Sequence, residues 1–219
     1  MQETNNILAI LDNYLHDNPD EIAKEQLNSK YIIDNKETNE KYYLNFTKIR
    51  KNDTIFEQDF QVNYDGPKGI WVDIFPLDEA KGWNSKLLPI QRKMNNAIFR
   101  LVHYKNGFIL GNKMNIFKKI LGKIVFVKNK TLLNIQDNCL KMQDNKGYGY
   151  VINLASSYDY KRELFKKEDY FPAEKLEFEG KMYNVPKDYK KVLTQIYGDY
   201  MKLPPKEKQI THNPVRLKF

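Results

Sequence analysis

The residues of this chain best suited to chemistry are two carboxylates, one within a largely apolar run and one just after it. Asp73 lies in the middle of the stretch from Gly69 to Pro76, and Asp78 follows just after it. Five residues of this run favour β-strands (Ile70, Trp71, Val72, Ile74 and Phe75), and proline ends a strand because it cannot donate to the ladder. An unpaired buried carboxylate is costly, so a metal, a cation or hydrogen bonds normally balance its charge. We therefore expect Asp73 to be buried and its charge to be compensated.

Side-chain alternation along this strand predicts what surrounds Asp73. Successive side chains point to opposite faces, so Asp73 would lie between Trp71 and Phe75, partly shielded from water. The alternative is a strand-end aspartate that accepts backbone hydrogen bonds or pairs with a lysine. For Asp78 the alternative to a role in the site is a turn or helix-capping residue.

One lysine could supply a matching positive charge. Residues 41–50 alternate as in a strand, and the face that carries Lys48 also carries Tyr42, Leu44 and Phe46. From this position Lys48 could reach a diphosphate as a point charge. The alternative is a lysine that faces solvent.

Three separated motifs resemble those of the LicD family, bacterial phosphotransferases that are similar to the fukutins and share the nucleotidyltransferase fold. The first is Val-Asp-Ile-Phe-Pro-Leu-Asp at residues 72–78, and the stretch before it matches at Lys48, Ile49 and Thr54. The C-terminal match consists of Phe178-Glu-Gly180, Val185-Pro186, Tyr189, Leu193 and Tyr197-Gly-Asp-Tyr-Met-Lys-Leu-Pro-Pro205. Together the motifs cover nearly the whole chain.

The resemblance implies an α+β fold, with a nucleotidyltransferase-like mixed sheet and surrounding helices. It implies a transferase that moves phosphocholine, or a related phosphoryl-linked group, from a nucleotide-activated donor such as CDP-choline. The acceptor would be a cell-surface glycan, lipopolysaccharide or teichoic-acid precursor. Asp73 matches a family position that holds divalent metal, so it is predicted as a catalytic residue and a ligand of Mg²⁺. Lys48 and Asp78 are predicted to bind substrate.

Three residues near the C-terminus are further substrate-binding candidates. Tyr197 and Tyr200 flank a helix end, where their rings could receive a choline-like cation. The alternative for both is that they pin the helix to the core. His212 lies in the tail, where the family commonly places a histidine. The alternative is an exposed histidine that has no role in the site.

The chain also departs from the family pattern. It lacks the Gly-Thr-Leu-Leu-Gly turn and the Trp-Asp-Asp-Asp-Ile-Asp strand that supply the paired metal-binding carboxylates, and it contains no Asp-x-Asp. Met1 is therefore interpreted as an internal start, so that the fold would be incomplete at the N-terminus. A complementing chain could carry the missing carboxylates. The alternative function is a catalytically inactive fragment or binding partner that retains only the scaffold.

Composition indicates a folded, soluble protein. The 219 residues are 41% hydrophobic and 13% aromatic, enough for one domain, predicted over 1–205 with a loose polar tail over 206–219. One cysteine, Cys139, excludes internal disulfides, and no signal peptide or membrane span is apparent, so a cytoplasmic location is expected. The net charge of +8 permits peripheral contact with the inner face of the membrane.

Known motifs of other classes are missing from the sequence. No nucleophile elbow, P-loop or dinucleotide-binding fingerprint is present, which argues against hydrolases, P-loop enzymes and Rossmann enzymes. No basic-aromatic motif of a known kind indicates nucleic-acid binding, so no nucleic-acid partner is expected.

The periodicity predicts the elements that must position these residues. Asp188 is predicted to cap a C-terminal helix that ends at Gly198. The other predicted elements are helices over 7–15, 18–27, 85–104 and 116–142, a strand over 147–152 and a hairpin over 176–183.

Overall fold

The computed structural model of the protein describes residues 30–61, 64–108, 126–209, 212 and 214–219. The two helices predicted between residues 7 and 27 lie outside these residues. The first part of the helix predicted over 116–142 also lies outside them. All structural statements below refer to the described residues.

The chain alternates short strands and helices. The strands are β1 (Tyr31–Asp34), β2 (Thr47–Lys51), β3 (Ile55–Glu57), β4 (Trp71–Ile74), β5 (Asp78–Ala80), β6 (Tyr150–Ile152), β7 (Leu164–Lys166), β8 (Glu174–Phe178), β9 (Lys181–Val185) and β10 (Arg216–Lys218). The helices are α1 (Leu87–Lys105), α2 (Asn129–Leu140), α3 (Lys167–Tyr170) and α4 (Tyr189–Tyr197). Single 3-10 turns lie at Asp59–Gln61, Lys141–Gln143, Tyr160–Arg162 and Lys206–Lys208.

The described residues divide into two compact units. The first contains residues up to 74, residues 103–130 and the C-terminal residues from 214. The second contains residues 75–102 and 131–212. The predicted domain boundary at residue 205 stays a prediction.

In the first unit, β1, β2 and β4 form an antiparallel sheet with β2 in the middle. Ile49 of β2 is fully buried, as suits a β-branched residue in a central strand. Beside it, the ring of Tyr43 packs edge-on against the rings of Tyr64, His103 and Phe108. His103 is buried in this aromatic cluster.

The strand predicted over 41–50 is wrong in its first half. Only residues 47–51 form β2. Tyr42, Tyr43 and Leu44 are buried one after another, so their side chains do not alternate between a covered and an open face. The alternation in the sequence came from aromatic residues that pack in a core without forming a ladder.

The second unit contains the antiparallel sheet β5–β6–β7 and the hairpin β8–β9. Its main core is formed by buried aliphatic side chains: Ala80, Leu88, Leu140, Ile152, Leu154 and Leu164. The free thiol of Cys139 is also buried. No described helix is both long enough and apolar enough to cross a membrane.

Several elements of the second unit confirm the sequence predictions. Helix α1 and strand β6 lie where periodicity placed them, and the hairpin turns at Gly180. The side chain of Asp188 accepts a hydrogen bond of 3.0 Å from the backbone N–H of Lys191 and so caps α4. Gly198 ends the helix with a φ of 73°, a value that glycine adopts without steric cost.

The expectation of a loose tail is wrong for its last residues. Arg216–Lys218 form β10, which pairs antiparallel with β3 in the first unit. Arg216 also lies 3.5 Å from the carboxylate of Glu57 on the paired strand. Backbone pairing with β3, together with this ion pair, thus holds a polar segment, which composition does not reveal.

The mixture of helices and sheets confirms an α+β protein at the level of class. The predicted mixed sheet is not seen, because every strand pairing among the described residues is antiparallel.

Candidate functional site

The candidate site lies where β2 and β4 pair. The register places Lys48 directly opposite Asp73. Residues opposite each other in antiparallel strands point to the same face, so the two side chains meet. The Lys48 ammonium donates a hydrogen bond to Asp73 Oδ1 at 2.5 Å. The structure therefore brings together two predicted site residues that are 25 positions apart in the chain.

Asp73 is more exposed than we expected, and Lys48 is the buried member of the pair. The Lys48 side chain retains 6% of its exposure, whereas that of Asp73 retains 32%. Asp73 is thus the open member, and the alternative of a solvent-facing Lys48 is wrong. The alternative in which Asp73 pairs with a lysine is the arrangement observed.

Burial changes the acid–base behaviour of this lysine. Loss of water around the ammonium lowers the pKa of Lys48 to about 8, and the opposing attraction of Asp73 does not cancel this effect. Lys48 is therefore charged at neutral pH but loses its proton within reach of mildly alkaline conditions. Such a cation is suited to hold an anion at neutral pH.

Two aromatic rings complete the surroundings of the ammonium. Lys48 Nζ lies 4.3 Å from the centroid of the Trp71 ring and 5.2 Å from that of Phe46. Both distances are within the range of cation–π attraction. We call Phe46, Trp71 and Asp73 the cation cage.

A second ion pair lies on the same face of the sheet. Arg50 Nε donates to Asp34 Oδ2 at 2.5 Å, and both side chains are almost fully buried. Arg50 also donates to the carbonyl oxygen of Gly69 at 3.1 Å, and Asn39 donates to the other oxygen of Asp34 at 2.8 Å. The guanidinium carbon lies 5.4 Å from the Trp71 centroid. This pair therefore supports the ring against which Lys48 rests.

Arg50 and Asp34 were not predicted from the sequence as site residues. The available signal was the spacing of two basic residues, Lys48 and Arg50, at alternate positions of one strand, which places both on one face. The acidic partner could not be found in this way, because β1 has no distinctive pattern.

The described residues do not fit Mg²⁺. Asp73 contributes one carboxylate, and Lys48 already occupies one of its oxygens. Elsewhere in the described part of the chain, no group of three or more His, Cys, Asp and Glu residues could hold a metal ion. Magnesium needs near-octahedral oxygen coordination, which a single paired aspartate does not supply.

Asp78 lies in the second unit and is the buried carboxylate of the motif. It opens β5 and retains 3% of its exposure, so the structure does not support the alternative of a turn or capping residue, and substrate binding by Asp78 stays a prediction. No described residue donates a hydrogen bond to its Oδ2. Burial, assisted by the charges of Asp144 and Asp137, raises the pKa of Asp78 to about 7.

Replacing Asp78 by asparagine is expected to raise the free energy of unfolding by about 1–3 kcal/mol above neutral pH, since an unpaired buried charge is removed. The folded pKa of about 7 exceeds the ordinary value of 3.8, so the wild type loses stability as pH rises through 7. Below about pH 4 the carboxyl is protonated in both the folded and the unfolded chain, so the two proteins should be equally stable there. Urea unfolding at both pH values measures this, and an equal gain at both would contradict it.

The remaining candidates also lie in the second unit. The exposed ring of Tyr197 packs edge-on against Tyr158, with centroids 6.3 Å apart, and Arg162 lies 4.6 Å from the Tyr158 centroid. Tyr197 thus has the packing contact that its structural alternative requires. Tyr200 is half-buried just after α4, and His212 is exposed. Substrate binding by these three residues stays a prediction.

Comparison with known proteins found a relative that is 30% identical over 146 residues. It is the lipopolysaccharide cholinephosphotransferase LicD of Haemophilus influenzae (strain ATCC 51907 / DSM 11121 / KW20 / Rd). The match covers 66% of this chain and 55% of that protein, so the chain spans about half the length of this curated relative. No family model and no solved structure matches the chain.

Proposed function

The chain belongs to the LicD family, and from this premise we propose that it transfers phosphocholine from CDP-choline to a lipopolysaccharide glycan. The observation that carries the proposal is the Lys48–Asp73 pair, which places a buried cation beside a partly open carboxylate in the family motif. A cell-surface glycan or teichoic-acid precursor is an alternative acceptor. A nucleotidyltransferase-like fold is part of the same proposal.

The transfer would proceed by displacement at the phosphorus that carries choline. The acceptor oxygen bonds to this phosphorus, and the bond to the bridging oxygen breaks. CMP leaves with the electron pair of that bond, and the acceptor hydroxyl proton passes to a base or to solvent. Negative charge on the phosphoryl oxygens must be balanced throughout this exchange.

We assign to Lys48 the role of balancing the negative charge on the phosphoryl oxygens. Its ammonium lies beside Asp73 and against two rings, so it supplies a localised positive charge close to the motif carboxylate. Asp73 keeps the lysine charged at neutral pH by opposing the effect of burial. Magnesium stays a prediction from the family resemblance, because the described residues do not form a site for it.

A second candidate function is binding without transfer. It is favoured by the pairing of Asp73 with Lys48, which leaves the motif carboxylate neutralised, and by the poor fit to metal among the described residues. Such a protein would hold the donor or the glycan for a separate catalytic chain.

A transfer assay distinguishes the two candidates. The purified chain is incubated with CDP-choline and lipopolysaccharide that lacks phosphocholine, with and without Mg²⁺. Release of CMP and a phosphocholine mass increment on the glycan would support the enzyme. Binding of CDP-choline without either product would support the binding protein, and absence of both binding and products would overturn the proposal.

The pH profile provides an independent test of Lys48. Because the ammonium loses its proton near pH 8, kcat/KM for the anionic donor is expected to fall above that pH. Replacement of Lys48 by arginine keeps the charge, so the alkaline limb should move to higher pH. The exposed Lys41, replaced in the same way, is the matched control and should leave the profile unchanged. A wild-type profile that stays flat through about pH 9 would contradict this role.

A further inference from the structure

The three side chains of the cation cage all lie close to one ammonium, that of Lys48. Trp71 and Phe46 present aromatic rings to Lys48 Nζ, and Asp73 presents a carboxylate oxygen. We propose that Phe46, Trp71 and Asp73 form the binding site for the quaternary ammonium group of the substrate, and that Lys48 is a resident competitor which the substrate displaces. This inference rests on the proposed function and names the part of the protein that recognises choline.

The chemistry of the cage favours a quaternary ammonium over a primary one. Aromatic cages recognise quaternary ammonium groups through cation–π attraction, and tryptophan is the best ring for this purpose. A trimethylammonium group has no N–H donors, so it gives up no hydrogen bonds to water on entering the cage. The lysine ammonium is strongly hydrated and sits on a flexible four-carbon stem, so it can return to water when displaced.

The walls of the cage reach solvent, although the Lys48 side chain between them retains only 6% of its exposure, and the main ring of the cage is held by its neighbours. Asp73 is exposed, and Phe46 and Trp71 are half-buried, so a small cation can approach them. The Trp71 ring packs edge-on against Phe56 with centroids 5.1 Å apart, and the Arg50 guanidinium carbon lies 5.4 Å from the Trp71 centroid. A ring held in this way loses little freedom when a ligand binds.

Displacement of Lys48 would allow the protein to bind the ammonium and the phosphate of the donor at the same time. Phosphocholine carries a quaternary ammonium and a phosphate, so the group that enters the cage brings an anion for the lysine that leaves it. Lys48 would then exchange one anionic partner, Asp73, for another. The cage thereby selects donors that carry a cationic headgroup.

The test uses tryptophan fluorescence with choline chloride as the probe. The protein has two tryptophans, and Trp83 is half-exposed in the second unit, so replacing Trp83 by phenylalanine leaves Trp71 as the reporter. Choline chloride is titrated against the same concentration of sodium chloride as an ionic-strength control. A saturable change in Trp71 emission with choline alone is expected.

The decisive variant is Lys48→Met, which removes the competing charge but keeps a side chain of similar length. Choline affinity is expected to rise about 10-fold. Phe46→Leu leaves both members of the Lys48–Asp73 pair in place and should weaken choline binding at least about 3-fold. Phe178→Leu, at an exposed ring of the second unit, is the matched control and should have no effect. Circular dichroism establishes that each variant is folded.

Other outcomes would overturn the cage. Choline affinity that is unchanged or lower in Lys48→Met would show that the lysine does not compete. No saturable response of Trp71, together with no retention of radiolabelled choline in equilibrium dialysis, would exclude the site.

CDP serves as the anionic probe that separates this inference from the proposed function. In Lys48→Met, CDP binding should weaken while choline binding tightens. Tighter choline binding without any CDP binding or transfer would overturn the transferase and retain the cage. If the wild-type protein transfers phosphocholine but Lys48→Met does not change choline affinity, the cage is overturned and the transferase is retained.

Discussion

Replacement of Asp73 by asparagine is expected to reduce kcat/KM for phosphocholine transfer by about 100-fold or more, with the protein still folded. The Asp73 side chain is 32% exposed, so its loss of charge disturbs packing little. Lys48 stays buried but loses the anion that opposes desolvation, so its pKa should fall further below its ordinary value. An uncharged lysine cannot balance the phosphate. Steady-state kinetics with CDP-choline, together with a thermal melt, measure both effects.

A matched control and a double variant make this prediction specific. Asp65→Asn breaks the exposed ion pair with Lys41 and should leave activity unchanged. Combining Asp73→Asn with Lys48→Met should be no worse than either single change, because the two residues act as one unit. Full activity in Asp73→Asn, or additive losses in the double variant, would contradict the assigned roles.

Replacement of Asp34 by alanine is expected to lower the free energy of unfolding by about 3–5 kcal/mol, because Arg50 is left as an uncompensated buried charge. Arg50 and Asp34 each retain 1% of their exposure, so water cannot replace the lost partner. Part of this loss would appear as aggregation or poor yield, since single domains have only about 5–15 kcal/mol of net stability. Urea unfolding monitored by circular dichroism measures the change.

The exposed pair of Glu37 and Lys130 is the control for this prediction. Both side chains remain about half-exposed, so Glu37→Gln should leave the unfolding midpoint almost unchanged. Replacing Asp34 and Arg50 together by leucine and methionine should recover most of the stability, because no charge is then left unpaired. A loss below about 1 kcal/mol in Asp34→Ala would show that solvent reaches the guanidinium.

The two ion pairs lie on one face of the sheet but have different roles. Asp34 is closed to solvent, so its pair with Arg50 can only organise the interior. Asp73 is open, so its pair with Lys48 can exchange partners with a ligand. The difference in exposure is the physical reason why we assign structure to the first pair and recognition to the second.

The sequence by itself determined the elements that depend on local signals. Helix α4 was predicted from a capping aspartate, Asp188, and a terminal glycine, Gly198, because both act within one helical turn. The hairpin around Gly180 and the strand that carries Asp73 followed from short-range patterns of the same kind. The family resemblance also came from the sequence, since it rests on motifs that keep their order and spacing.

Only the tertiary structure decided which residues meet and which are covered. Lys48 opposes Asp73 because β2 pairs with β4 in one register, and a shift of one residue would turn either side chain to the other face. The burial of Asp78 and the return of the tail as β10 likewise depend on segments far away in the chain. Periodicity states that a strand has two faces, but only long-range packing determines which face is covered and which charge is left open to a substrate.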